Sequence, residues 1–347
     1  MIINNVGKIQ SRKWGVINGE NIYLFTITNK MGSFVQFTNY GASLVSAVVP
    51  DERGTLNNVV LNYPNLAGYL SDEYYLGATI GRYANRIAGA SFKLNNNRYF
   101  IDSNENGNSN HSGVSGFHAK VFEFEIEENA IIFSLLSKDG EGGFPGNLQF
   151  QVMYQWNDDN QLLISYKATT DKTTIASFTN HAYFNLSGCE NILSHRLVVN
   201  ATEIIELNKD FIPTGKIIQG VEKSFQMDEN NNEIIFEAGG LMGLNECFVL
   251  HKNKMEPACF LLELTTGRTL EVYTSYPGLM VYTNDYFADE KVAYNANNSF
   301  PKSGIALECQ YYPDSPNHIH FPSTILKEEQ EYRQHILYKF GTSKNQS

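Results

Sequence analysis

Apolar and polar residues alternate over most of this chain. In "NIYLFTITNK", "GSFVQFTNYGASLVSAVVPDERG", "FEFEIEENAIIFSLLS", "NLQFQVMYQWNDDNQLLISYKATT" and "ALECQYY" the repeat is two residues. That is the period of a pleated strand, whose successive side chains leave on opposite faces. Between the runs fall "DERG", "EEN", "NDDNQ", "PTG" and "TTGR", rich in the residues that turns require. Helical periodicity is scarce, the best being a turn or two around "NLAGYLSDEYYLGATI". Strands at short regular intervals predict an all-β fold, a large antiparallel two-sheet sandwich or barrel with few short helices, and not βαβ units. No low-complexity linker interrupts the pattern, so one domain is expected over 1–342, followed by a disordered tail "SKNQS" at 343–347.

The formal net charge of −11 argues against nucleic acid and anionic membranes as partners, because both select basic patches. A neutral small molecule is compatible with it. The abundant Tyr and Phe suit strands, and they also suit sugar binding, where ring faces pack on C–H faces. Cys189, Cys247, Cys259 and Cys309 form no C-x-x-C pair, so zinc and redox motifs are unsupported and reduced thiols are expected. The opening "MIINNVGKIQSRKW" lacks an apolar core, and no later run approaches membrane-spanning length. A cytoplasmic location is expected.

Two strand-like segments break the apolar-in, polar-out rule. In "SGIALECQYYPDSPNH" one face carries Ile305, Leu307, Cys309 and Tyr311, and the other Gly304, Ala306, Glu308 and Gln310. A mid-strand carboxylate beside Gly and Ala is either solvated or placed for chemistry, since burial without partners is costly. In "FTNHAYFNLSG" one face carries Thr179, His181, Tyr183 and Asn185. His181 there is either a satisfied structural histidine or a proton carrier. His111, in "NSNHSGVSGFHAKVF", sits on a small-residue turn that lets a ligand approach the backbone. "IGRYANRIAGASF" offers Arg82, Asn85 and Arg86 for hydroxyl recognition or for an ordinary ion pair. His318 and His320 in "HIH" have metal-like spacing but no evident third ligand, so no metal is assigned.

Taken together, these segments resemble the aldose 1-epimerase (galactose mutarotase) family. The resemblance rests on "NYGASLVSAVVPDERG", "GRYANRIAGASF", "NHSGVSGFHAKVF", "DGEGGFPGN", "NHAYFNLSG", "DFIPTGKI", "YTSYPGLMVYTND" and "ALECQYYPDSPN", in family order over nearly the whole chain. It implies a β-supersandwich with a sugar groove, no cofactor, and a free aldose such as galactose or glucose as substrate and partner. The chain would be a monomer or homodimer. It further implies Glu308 as base, His181 as acid, His111 as a second active-site histidine, and Asn85, Arg86 and Tyr276 as sugar contacts. Asn245, in "GLNECFVL", stands where the family commonly has an aspartate. An amide both donates and accepts but cannot make a charge-assisted bond, so sugar preference is the property most exposed to this change.

Anomer interconversion needs one base and one acid flanking a hemiacetal, and neither metal nor redox chemistry. Model carboxylates and imidazoles, near ~4.3 and ~6.5, begin on the right sides of neutrality for these roles. Hydrolysis of a glycoside would instead need a second carboxylate, for which Glu141, Glu246 and Asp285 are candidates without motif support. A non-catalytic sugar-binding module, or an epimerase preferring a disaccharide such as maltose or a sugar phosphate, completes the alternatives.

Overall fold

The computed structural model describes residues 4–6, 9–188, 191–220, 227–228, 233–235, 243–250, 256–283 and 303–346. Cys189 and Asp285 lie outside the described residues. Three sheets account for most of the structure. The first has six strands in chain order, from Asn4–Val6 to Leu56–Asn58. The second has ten, with Glu123–Ile126 at one edge, Leu148–Trp156, Gln161–Thr170 and Tyr332–Thr342 inside it, and Met227–Asp228 at the other edge. The third orders its six strands as Tyr183–Phe184, Ile305–Gln310, Gly278–Tyr282, Asn245–Val249, Glu203–Leu207 and Pro213–Gln219.

The two-residue period becomes burial where it was clearest. Along Leu148–Trp156 the side chains of Leu148, Phe150, Val152, Tyr154 and Trp156 are buried, while Gln149 and Gln151 are exposed. The antiparallel partner strand sets Tyr166 opposite Val152 and Ile164 opposite Tyr154, so the buried rows of both strands share one face. Each such side chain taken from water contributes about 1.5–3 kcal/mol. That face meets both six-stranded sheets. Phe37 packs on Tyr154 with ring centroids 4.4 Å apart, and Phe184 on Tyr338 at 5.0 Å. One core therefore joins all three sheets.

Turn chemistry follows the sequence as well. In "NDDNQ" the Asn157 Oδ1 accepts from the amides of Asp159 and Gln161, and Asn160 takes the left-handed conformation the hairpin needs. The expected helical turn is Leu66–Leu70, capped by the Asn65 side chain, which accepts from the Gly68 amide. The tail differs from expectation. Ser343–Gln346 forms a 3-10 turn, and the Ser343 amide donates to Gly267 O at 2.8 Å.

The third sheet positions the site. Ile305, Leu307 and Cys309 enter the shared core. The opposite face of the same strand carries Glu308, with Met280 directly across the ladder and Cys247 beyond it. Asn245, Tyr282 and Ala306 form the next row.

Candidate active site

A cavity of about 410 Å³ opens over that face. Among its walls are Glu308, His181, His111, Asn85, Arg86 and Asn245, six of the seven positions that the family resemblance assigns to the site. Its size is in the usual small-ligand range of roughly 300–1,000 Å³. A larger groove, about 1090 Å³, crosses the outer face of the ten-stranded sheet, but its lining holds no histidine.

His181 stands where one strand hands over to another. Thr179–Asn180 pairs with Thr79–Ile80, whereas Tyr183–Phe184 pairs with Ile305–Gln310 in the third sheet. At the join, the His181 amide donates to Ala78 O and its carbonyl accepts from the Gly77 amide. "FTNHAYFNLSG" is thus two short strands, not one. The break aims the imidazole at Glu308, with His181 Nε2 3.4 Å from Glu308 Oε1. Both side chains are almost wholly buried. Among the described residues, His181 Nδ1 and Glu308 Oε2 have no hydrogen-bond partner. Buried orphans of this kind cost about 1–3 kcal/mol each, and these two belong to residues that line the cavity, where a ligand can satisfy them.

His111 begins a run of three left-handed residues, His111, Ser112 and Gly113. At Gly113 a Cβ would stand 2.3 Å from that of Asp102, so only glycine closes this turn. Asn85, also left-handed, faces His111. Its amide donates to His111 Nδ1 at 3.2 Å, and its carbonyl accepts from the His111 amide. The neutral ring's proton therefore resides on Nε2, a donor. The same contact weighs against a metal at this place. His111, His181 and Glu308 offer ligand atoms within 4.8 Å of one another. Yet one nitrogen of His111 is occupied by an amide and the other carries the proton, so ligation would break an existing bond.

Burial sets the charge states. It pushes the Glu308 carboxyl up to about 8, against a smaller opposing pull from Arg86. It drives His181 down to about 3 and His111 well below the ordinary imidazole value, with the neighbouring His181 and Arg86 adding to the latter. The expectation of a carboxylate beside an imidazolium is therefore reversed by burial. Neutral acid beside neutral imidazole is the form that desolvation favours. The two forms hold the same number of protons and differ only in which group carries one.

Arg86 combines both readings offered for it. It lines the cavity, and it is forked onto Glu105, with Nη2 2.9 Å from Oε1 and Nε bonded to Oε2. Asn245 sits on the floor, and Glu246 beside it is absent from the lining, as strand alternation requires.

Tyr276 is a correction. Its ring lies in the core against Tyr166 and Tyr311, and its hydroxyl accepts from Tyr332 at 2.9 Å. The ladder begins at Gly278, after Pro277, so the alternation that points Met280 and Tyr282 into the cavity does not extend back to Tyr276. Arg82 is structural as well, its guanidinium capping Ser137, Lys138 and Pro145 carbonyls. Glu141 serves Lys120 and Ser137, away from the site. The His318 and His320 rings touch edge to face at 5.9 Å but serve different partners: His318 Nε2 approaches Asp314 Oδ2 at 3.3 Å, while His320 Nε2 meets Gly215 O at 2.6 Å.

Sequence reasoning missed Glu73, Tyr74, Tyr75, Glu105, Phe211 and Met280 in the lining. Tyr75, Asn85, His111 and Phe211 all have positive φ, at 61°, 66°, 51° and 56°. Such conformations cost about 1–3 kcal/mol in non-glycine residues and gather at functional sites.

Comparison with known proteins places nearly the whole chain in one family. The family model for aldose 1-epimerase matches residues 23–339. Bovine galactose mutarotase is 35% identical over 319 residues, covering 89% of this chain and 91% of that protein. The aldose 1-epimerase of Haemophilus influenzae is 35% identical over 333 residues, covering 93% and 97%. The solved structure of an aldose epimerase homologue from C. elegans superimposes with a TM-score of 0.83 at 27% identity, covering 91% of this chain and 98% of that one.

Proposed function

The chain belongs to the aldose 1-epimerase family, isomerases that interconvert the α- and β-anomers of aldoses, and we propose that Glu308 and His181 are the pair that moves the protons here. The observation that carries this assignment is the 3.4 Å approach of His181 Nε2 to Glu308 Oε1 across a cavity wall.

In the reaction, the C1 hydroxyl loses a proton to Glu308 as the ring oxygen gains one from His181. The C1–O5 bond breaks, giving the open aldehyde. Rotation about C1–C2 presents the other carbonyl face. Reclosure then returns the proton from Glu308 to the new C1 hydroxyl and the ring-oxygen proton to His181. The pair begins as carboxylate and imidazolium, passes through acid and neutral imidazole while the ring is open, and returns. Burial favours the second state, so it stabilises the pair's midpoint charge state. The 3.4 Å approach of opposite charges favours the first. The opposition offsets part of the preference that burial gives the second state. His111, with its proton held on Nε2, donates to the oxygen that carries developing charge. Arg86, Asn85 and Asn245 fix the hydroxyls of a free hexose, galactose or glucose. The buried free thiols of Cys247, Cys259 and Cys309 support a cytoplasmic location.

Polarimetric decay of fresh α-D-galactose and α-D-glucose tests the assignment. Glu308→Gln and His181→Asn each lose about 10²–10⁴-fold in kcat while remaining folded. A near wild-type rate in either variant contradicts it.

A further inference from the structure

Resting on that assignment, we propose that Tyr75 is a positioning residue that sets the two active-site imidazoles, and that a half-buried Asp72 clasp holds it in place. The Tyr75 ring stands among three histidines. Centroid separations are 4.7 Å to His111, 4.8 Å to His118 and 5.8 Å to His181. His111 and His181 also touch each other at 5.1 Å, so Tyr75 closes a ring of contacts around both. An aromatic residue with φ of 61° does not hold that conformation unaided. The surrounding bonds explain how it is held.

Asp72 is the first clasp. Its Oδ1 accepts from the Tyr63 hydroxyl at 2.9 Å and the Tyr74 amide at 2.8 Å, and its Oδ2 accepts from the Leu76 amide at 2.6 Å. One carboxylate thus grips the residues on both sides of Tyr75. The second clasp is His181 itself. Its backbone bonds to Gly77 and Ala78, and the Ala78 amide donates back to Tyr75 O. The Tyr183 hydroxyl adds a bond to Tyr74 O. The loop Asp72–Ala78 is therefore tied at one end to a half-buried carboxylate and at the other to the proposed acid. Its apex residue packs across both imidazoles and lines the cavity. The ring keeps His181 and His111 dry and limits rotation about their χ angles. Among the described residues the hydroxyl has one long contact, 3.5 Å from Asn104 Nδ2, so the ring is the working part.

Three variants test this: Tyr75→Leu, Tyr75→Phe and Asp72→Asn. Two readouts are needed, the pH dependence of kcat with KM alongside, and titration of the histidine ring resonances by NMR. Tyr75→Leu should lose about 10–100-fold in kcat with KM within threefold, as small misplacements of catalytic groups do. Its His181 resonance should titrate at higher pH than in the wild type, because water reaches the ring. Tyr75→Phe should restore kcat to within about threefold, and Asp72→Asn should give an intermediate loss with the same upward shift. Wild-type kcat and an unmoved His181 titration in Tyr75→Leu overturn the proposal. So does a Tyr75→Phe variant as slow as Tyr75→Leu, which would give the work to the hydroxyl. If Tyr75→Leu does not fold, Asp72→Asn decides alone: an unchanged titration and rate overturn it. The NMR readout needs no turnover, so failure of the assigned roles of Glu308 and His181 is seen separately, as unimpaired polarimetric rates in their own variants.

Discussion

The hairpin Leu148–Trp156/Gln161–Thr170 and the segment Phe178–Gly188 are both β structure, yet they obey opposite rules. In the hairpin, apolar side chains point in and glutamines point out, and the ladder runs unbroken for nine pairs. In the second segment everything from Phe178 to Ser187 is buried, polar or not, and the strands last two residues each. The first region gains its stability from a buried row repeated at every second residue of both strands. The second spends strand continuity to aim one imidazole, and leaves buried polar atoms at His181 Nδ1 and Glu308 Oε2 without partners among the described residues. Regularity builds this fold, and departures from regularity mark its chemistry.

Exchanging the losses is the strongest way to break that contrast. Phe150→Ala should cost about 3–5 kcal/mol in denaturant unfolding and leave kcat of the folded fraction unchanged. Glu308→Gln should do the reverse. The sign of its stability effect is also fixed. The folded carboxyl is raised from 4.5 to about 8, so the stability this group contributes is full below 4.5 and lost as pH rises through 8. Unfolding measured over that range should show Glu308→Gln gaining on the wild type with rising pH. A constant difference would mean that Glu308 is not raised by burial.

A smaller effect is expected at the cavity floor. Asn245→Asp should lower KM for galactose or glucose by about fivefold, the difference between a neutral and a charge-assisted hydrogen bond. Equal kinetics on both sugars would place residue 245 out of reach of the ligand. Least of all should change in Tyr276→Phe, which loses its bond with Tyr332. It should cost about 1 kcal/mol of stability with KM unaltered, and a KM effect would return Tyr276 to the site.

Much of this was legible in the chain. Alternation located the strands of the hairpin, because a side chain's face is set by its parity. A carboxylate and a histidine that violated the pattern proved to be Glu308 and His181, 3.4 Å apart. Tyr276 came from the family resemblance alone, and the late start of the ladder at Gly278 leaves it in the core. Tyr75 and Phe211 carried no signal. Left-handed backbone in a bulky residue is imposed by partners such as Asp72, distant in character from any turn motif. The charge states were illegible for a related reason: they depend on burial, which composition does not report.

The account turns on a single proton shared by Glu308 and His181, whichever group holds it. Burial places the first loss from that pair near 3 and the second near 8, so one proton remains between them through neutrality. The direct test is kcat for mutarotation across the pH scale, with the spontaneous rate subtracted. A plateau through neutrality that falls above about 8, with that limb absent from the residual activity of Glu308→Gln, is the predicted result. A kcat that climbs steadily through pH 8 without a break would contradict the shared proton.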